Sequence, residues 1–398
     1  MSDAVAVGEG VFWLGTNDRD TARFESLWPL PRGISYNAYL IRDEKVALID
    51  AVKAPFGGDL AERLRGLLGP DRPVDYLVVN HLEPDHSGGL RLLLRLYPEL
   101  RIVGTPKTAE FLRELYGVSD RVVAVADGET LDLGGRTLRF VHTPMVHWPE
   151  TMMTFDRPGR ILFSGDAFGG YGAVETGLFD DQRSDRAAYE DEALRYFANV
   201  IGKYSPMVQK AVPKVRDLAP AVVAPAHGLV WRSAPGRIVD LYDRWSRHDT
   251  EPAVVVAYGS MYGNTRRLAD RLAAALADVG IADVRFHDVA QTHLSFLLRD
   301  IWRARALLLG TPTYNLGIFP AVDALVRLLE DKRLTRRVLG VFGTYGWSGG
   351  GVKGLEAFAE RSAWELVEPV VEARFAPKEA DLARCEELAR AVAERLQQ

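Results

Sequence analysis

Cysteine is almost absent from this chain. The one cysteine, Cys385, among 398 residues excludes intrachain disulfides and any zinc or iron–sulfur centre held by thiolates. Its place in a terminal helix marks it as a buried apolar filler, suited to a reducing cytoplasm. Long apolar runs are lacking too. MSDAVAVGEGVFWLG has no basic segment leading into one, and no later run is long enough to span a bilayer, so a cytoplasmic protein without secretory signal or membrane anchor is expected. Neither sign of charge dominates: 54 acidic and 49 basic residues give −5, well mixed, with no footprint for nucleic acid or a membrane surface. The pair Arg336-Arg337 reads as a helix-to-strand junction, and no repeat or low-complexity segment is found. At this length two full cores are expected.

Histidine is scarce, with eight residues, but it is concentrated. His81-Leu-Glu83-Pro-Asp85-His86 follows the apolar stretch Tyr76 to Val79, which reads as a buried strand. Clustered imidazoles and carboxylates at a strand mouth point to a metal site rather than a solvated loop. In an extended segment positions 81, 83 and 85 project to one side and His86 to the other, enough to serve two ions. Three later segments have the same form: Val141-His142 to His147-Trp148-Pro149, Ile161 to Gly165-Asp166, and Val222 to His227-Gly228. Each is an apolar strand ending in His or Asp beside Gly or Pro, where the backbone turns sharply and brings a side chain to an ion.

This ligand order resembles the metallo-β-lactamase fold, with one departure. Glu83 stands where zinc hydrolases of that fold carry His, and a hard carboxylate favours iron or manganese. Glu83-Pro84, HWPETM at 147–152, GDAFGGYGA at 165–173 and PAHGLVWR at 225–232 are similar to the flavodiiron protein family. The resemblance implies two iron ions per chain, one held by His81, Glu83 and His147, the other by Asp85, His86 and His227, with Asp166 bridging. It also implies Tyr196 as a hydroxyl donor in the pocket, with core packing as the plainer reading. His142 is outside the family's ligand set and reads as a core residue or one that orients a neighbour.

A polar break, WSRHDTEP at 245–252, divides the chain into expected domains 1–249 and 250–398. Beyond it, strand Val254–Tyr258, a turn and a helix from Thr265 to about Val279 form an anion site, with hydroxyls of Ser260 and Thr265 and helix-start N–H groups facing it. No Lys follows the glycine and the G-x-G-x-x-G spacing is absent, which leaves a monophosphate. Two further loops, Pro312, Thr313, Tyr314 and Asn315, then Thr344, Tyr345, Gly346, Trp347, Ser348 and Gly349, lie at the carboxyl edge of presumed parallel strands, where open α/β sheets bind ligands. Their aromatics offer flat walls for a flavin ring. The order βαβαβαβαβα resembles a flavodoxin, and Ser260, Met261, Tyr262, Gly263, Asn264 and Thr265 resemble its FMN phosphate loop.

The expected fold class is therefore two-domain, α/β and α+β: a metallo-β-lactamase-like αβ/βα sandwich followed by a flavodoxin-like doubly wound parallel sheet. By resemblance the chain is a flavodiiron oxidoreductase reducing O2 to water, NO to N2O, or both, with electrons delivered through FMN. The single cysteine leaves no fused rubredoxin module, so the donor is external, a rubredoxin-like protein or a reductase. The family pairs head to tail, implying a homodimer or a dimer of dimers. The alternatives are a dinuclear zinc hydrolase with an appended flavodoxin domain, and an electron carrier with a vestigial metal domain.

Overall fold

The structure, a computed structural model describing residues 4–174 and 176–397, separates into two units, Met1–Ser246 and Arg247–Gln398. In the first, a seven-stranded sheet runs Val5–Gly8, Val11–Trp13, Tyr39–Arg42, Val46–Ile49, Tyr76–Val78, Arg101–Gly104, Val122–Ala124. A five-stranded sheet runs Thr130–Asp132, Thr137–His142, Met152–Asp156, Ile161–Phe163, Val222–Ala224. Helices Gly57–Leu68 and Pro106–Tyr116 follow strands of the first sheet, and Arg186–Tyr196, Ser205–Leu218 and Pro235–Ser246 follow the second, in the αβ/βα sandwich expected. Strands Val46–Ile49 and Tyr76–Val78 are buried throughout, which is why they read as unbroken apolar runs.

The two sheets are tied together at the ends of these strands. Met152 N–H donates to Asn80 O at 2.9 Å, Tyr39 Oη to Pro225 O at 2.7 Å, and Asn37 Nδ2 to Pro225 O and Gly228 O at 2.9 and 3.0 Å. All four predicted strand-end loops therefore converge on one place.

The second unit holds five parallel strands in the order Val284–Asp288, Glu251–Tyr258, Ala304–Tyr314, Val338–Tyr345, Glu365–Arg374. The sequence-second strand lies at the edge, the flavodoxin-type arrangement. Helices Asn264–Asp278 and Glu379–Leu396 cover one face with Leu268, Leu272, Leu276, Leu388 and the fully buried Cys385. The strands outrun their apolar cores. Pro312 pairs with Thr344, while Thr313 and Tyr314 pair with Ile318 and Gly317 in a small hairpin. Pro312, Thr313, Tyr314, Thr344 and Tyr345, read above as loop, are thus strand ends, because pairing continues past the apolar stretches. The junction at Arg336-Arg337 is also deeper than a surface turn. Arg337 is 2% exposed and donates to carbonyls of Ile301, Trp302, His248 and Thr335. Among the described residues no helix is long and apolar enough to cross a membrane.

Candidate metal centre and flavin edge

His81 and Glu83 leave the end of strand Tyr76–Val78, and Pro84 then starts a helical turn, Pro84–Ser87. That turn corrects the extended reading: Asp85 swings away from Glu83 and joins His86. Leu82, between the first two donors, is held by its N–H to Glu150 Oε1 at 2.9 Å, and Glu150 lies on the His147 loop. Asp166 follows strand Ile161–Phe163, and Ala226 N–H donates to Gly165 O at 2.7 Å, fixing it to the loop of His227. Gly228 sits at φ 76 where a side chain would run into the Tyr189 hydroxyl, so only glycine closes that turn.

Seven donor side chains result, four imidazoles and three carboxylates, in two groups. In one, His147 Nε2 is 3.0 Å from Glu83 Oε2 and 2.9 Å from Asp166 Oδ2, and His81 Nε2 is 3.3 Å from the same Asp166 oxygen. In the other, His86 Nε2 is 3.0 Å from His227 Nε2, 3.4 Å from Asp85 Oδ2 and 3.1 Å from Asp166 Oδ1. Asp166 thus presents one oxygen to each group. His227 Nδ1–H donates to Ser35 O at 2.8 Å, which fixes its tautomer and turns Nε2 toward the cluster.

Burial opposes charge on these groups, but their mutual contacts outweigh it. Hydrogen bonds from His147 and His81 hold Glu83 at about 2. Asp166, facing His81 and His86, is held well below the usual carboxylate range. Asp166 and Glu83 lift His147 to about 9 and raise His81 as well, while Asp85 and Asp166 raise His227. Such a site keeps Glu83 and Asp166 ionised and draws cations, protons if nothing else is present.

Metal ions fit better than protons. Two ring nitrogens 3.0 Å apart share one proton at most, and both oxygens of Asp85 with Asp166 Oδ1 are buried without a hydrogen-bond partner among the described residues. Buried polar atoms left so cost about 1–3 kcal/mol each, which a shared cation offsets. The donor set, rich in hard oxygens, suits iron or manganese.

His142 ends strand Thr137–His142 and is no member of either group; its N–H donates to Asp127 and its carbonyl accepts from Lys214. Tyr196 is fully buried against His227, ring centroids 5.6 Å apart, and its hydroxyl approaches Asp166 without reaching hydrogen-bond geometry. Burial and the Asp166 charge push its pKa well above the ordinary tyrosine value, so it stays a donor. Sequence reading missed Asp50, 3% exposed, whose carboxylate accepts from Asn80 N and Nδ2 at 2.8 and 3.0 Å and so steadies the residue before His81. An apolar strand ending in Asp was the available signal, identical to that of Asp166.

In the second unit the three loops meet at the carboxyl edge of the sheet. Ser260 Oγ accepts from Gly263 N–H at 3.1 Å and Arg266 N–H at 3.4 Å, and Gly263 takes the left-handed turn, φ 88, that starts the helix at Asn264. Thr265 Oγ1 and Thr344 Oγ1 are 2.8 Å apart, joining the first and third loops; Thr313 Oγ1 accepts from Gly351 N–H, joining the second and third. Met261, Tyr262, Tyr314 and Trp347 are exposed, Tyr262 and Trp347 at 90% and 89%. Asn315 lies in the left-handed region at the hairpin tip, and Tyr345, Gly346, Ser348 and Gly349 carry the chain past Trp347.

A sandwich gathering carboxylates and imidazoles for two ions, followed in one chain by a flavodoxin-type sheet, defines a two-domain metalloflavoprotein. Residues 34–228 match the ODP family beta lactamase and residues 256–388 match flavodoxin. The chain is 36% identical to a nitric oxide reductase of Moorella thermoacetica over all of both chains. It is 33% identical to the anaerobic nitric oxide reductase flavorubredoxin of Escherichia coli over 98% of this chain and 82% of that one. The rubredoxin oxygen:oxidoreductase of Desulfovibrio gigas superposes with a TM-score of 0.94 at 30% identity, covering 99% of this chain and 98% of that one. The chain belongs to the flavodiiron protein family and is an oxidoreductase. The hydrolase alternative is not favoured.

Proposed function

We propose that this protein reduces O2, NO or both at a diiron centre, with electrons passed from an external donor through FMN. The observation that carries the reading is Asp166, whose two oxygens each face a separate group of three further donors. On this reading His81, Glu83 and His147 hold one iron, Asp85, His86 and His227 the other, and Asp166 both. When bound, two adjacent irons supply electrons to a small molecule held between them, and flavin converts between one- and two-electron transfer. The chain's own residues do the rest. Burial of the donors keeps bulk water out, and Tyr196 offers one O–H toward the Asp166 side of the pocket, in reach of a bound diatomic.

At the sheet edge, helix-start N–H groups of 263–266 and the Ser260 and Thr265 hydroxyls suit the FMN phosphate; Ser260 Oγ accepts two hydrogen bonds and keeps its O–H to give, and Thr265 keeps its own when Thr344 donates to it. Asn264 adds an amide. Tyr262, Tyr314 and Trp347 suit the ring faces, and the Gly346–Gly349 backbone its heteroatoms. A donor protein such as a rubredoxin or a reductase fits the chain's single cysteine. We further propose head-to-tail pairing of two chains, in which the flavin of one serves the irons of the other.

The test is anaerobic preparation of the protein with iron and flavin quantified, then consumption of O2 and of NO from the same reduced stock. About two irons and one FMN per chain with turnover of at least one gas is expected. Zinc in place of iron, or no gas consumption by the reduced protein, rejects the reading. For pairing, an Asp166→Ala variant mixed with an FMN-deficient variant should regain part of the activity once subunits exchange; no regain despite proven exchange rejects head-to-tail transfer.

A further inference from the structure

The seven donors reach the centre from four separate stretches of chain, and such stretches bind an ion tightly only when they are held in register before it arrives. Asn80 is bonded to three of them. It immediately precedes His81 and is fully buried. Its N–H and Nδ2 donate to the two carboxylate oxygens of Asp50 at 2.8 and 3.0 Å. On the other side Thr154 Oγ1 donates to Asn80 Oδ1 at 2.8 Å, and Asn80 O accepts from Met152 N–H at 2.9 Å. Nδ2 also donates to Phe163 O, at 3.4 Å.

These partners come from both sheets. Asp50 ends strand Val46–Ile49 of the first, and its own N–H donates to Val78 O at 2.8 Å. Met152 and Thr154 lie in strand Met152–Asp156 of the second, which leaves the His147 loop, and Phe163 ends the strand that leads to Asp166. Every hydrogen-bonding group of Asn80 is thereby engaged, and its amide can face only one way, Oδ1 to a hydroxyl and Nδ2 to a carboxylate. Packing alone does not call for this, because apolar side chains at 80 and 154 would bury without needing partners. A buried polar network with every member satisfied fixes a single geometry instead.

The two histidines at the opposite ends of the donor set show what that geometry is for. His227 is aimed through its ring, by the bond from Nδ1 to Ser35 O. His81 Nδ1 has no hydrogen-bond partner among the described residues, so its aim comes from the backbone, which is fixed at residue 80. We propose that Asn80 is a positioning residue of the metal centre, held by Asp50 from one sheet and Thr154 from the other so that His81, His147 and Asp166 keep the spacing two ions need. The assignment rests on the two-metal part of the reading above and is independent of which gas is reduced.

Thr154 shares no hydrogen bond with any of the seven donors among the described residues, so it tests the network without touching a ligand. In FMN-loaded protein stripped of iron and refilled with cobalt(II), affinity is read by competition with a chelator and ligand geometry by the cobalt bands beyond the flavin absorption. Thr154→Val should weaken cobalt roughly tenfold, the scale of one buried hydrogen bond lost with its acceptor left unpaired, and should alter the bands. Thr154→Ser, which keeps the hydroxyl, should restore both. Asp50→Asn combined with Asn80→Asp exchanges donor and acceptor across that pair, and should bind cobalt better than either change alone. FMN content should match wild type throughout. Wild-type affinity and bands in Thr154→Val overturn the assignment. So does a loss that Thr154→Ser shares, or one that scales with melting temperature across the variants, since the bonds would then serve the fold alone. A wild type that binds two ions tightly yet reduces neither gas rejects the reductase reading and leaves this assignment standing; a wild type that binds no pair of ions rejects both.

Discussion

In the first unit six of the seven clustered donors are less than a tenth exposed and stand within contact distance of one another. At the carboxyl edge of the second, Tyr262 and Trp347 are about nine-tenths exposed and touch little. The difference follows from what each site must hold. Charged donors left apart in a buried pocket are costly unless they are paired or bound to a cation, so the fold must assemble them in advance. A planar ring needs only flat walls and loose backbone donors, which a surface can present without strain. The metal half spends sequence on positioning, with Asn80, Asp50 and Glu150 behind the donors. The flavin half spends it on loop shape, with hydroxyls tying the loops together.

The strongest way to break the comparison is Asp166→Ala. If the donors form one assembled unit, metal analysis should show iron falling from about two per chain to nearly none; retention of one full ion would mean that the groups fill independently. Glu83→His is next. It gives that group three imidazoles beside Asp166, and protein loaded with equal iron and zinc should move toward zinc by about tenfold; an unchanged ratio would deny Glu83 a part in metal choice. Trp347→Ala should weaken FMN by up to about tenfold, from a stacking loss of ~0.5–1.5 kcal/mol, without shifting the melting temperature. A marked drop in melting temperature would show that the exposed edge is structural after all.

The smallest effect separates the halves by pH. In metal-free protein His147 is raised from 6.5 to about 9 by its carboxylate neighbours. Its contribution to stability is therefore full below pH 6.5 and lost as the pH climbs through 9. Melting temperature of the metal-free protein should fall over that window, while the iron-loaded protein, with no proton on that nitrogen, should stay level. Parallel curves would mean that His147 has no coupling to the cluster.

Much of this was legible along the chain because the informative residues sit where strands end. His81, Asp166 and His227 each follow an apolar run, and local pattern alone marks them. The split between Asp85 and Glu83 was not legible from strand alternation, since Pro84 converts the segment into a helical turn. Arg195 escaped notice for a different reason. One of its partners lies far off in sequence: Pro29 O accepts from its Nη1 at 2.9 Å. Nothing local distinguishes such a residue from an ordinary polar position on a helix. Arg337 is similar: it reads as a surface cation and is a buried clamp on backbone carbonyls.

A carboxylate with an oxygen in each camp also has a say in how the two tenants arrive. Asp166 can rest in one orientation only, with Oδ2 toward His147 and Oδ1 toward His86. The first ion to settle holds that orientation in place, so the second finds its seat already made. Starved of iron, a population of these molecules should sort into full and empty rather than half-filled. A cell would then hold fewer working enzymes instead of many crippled ones carrying a lone reactive ion.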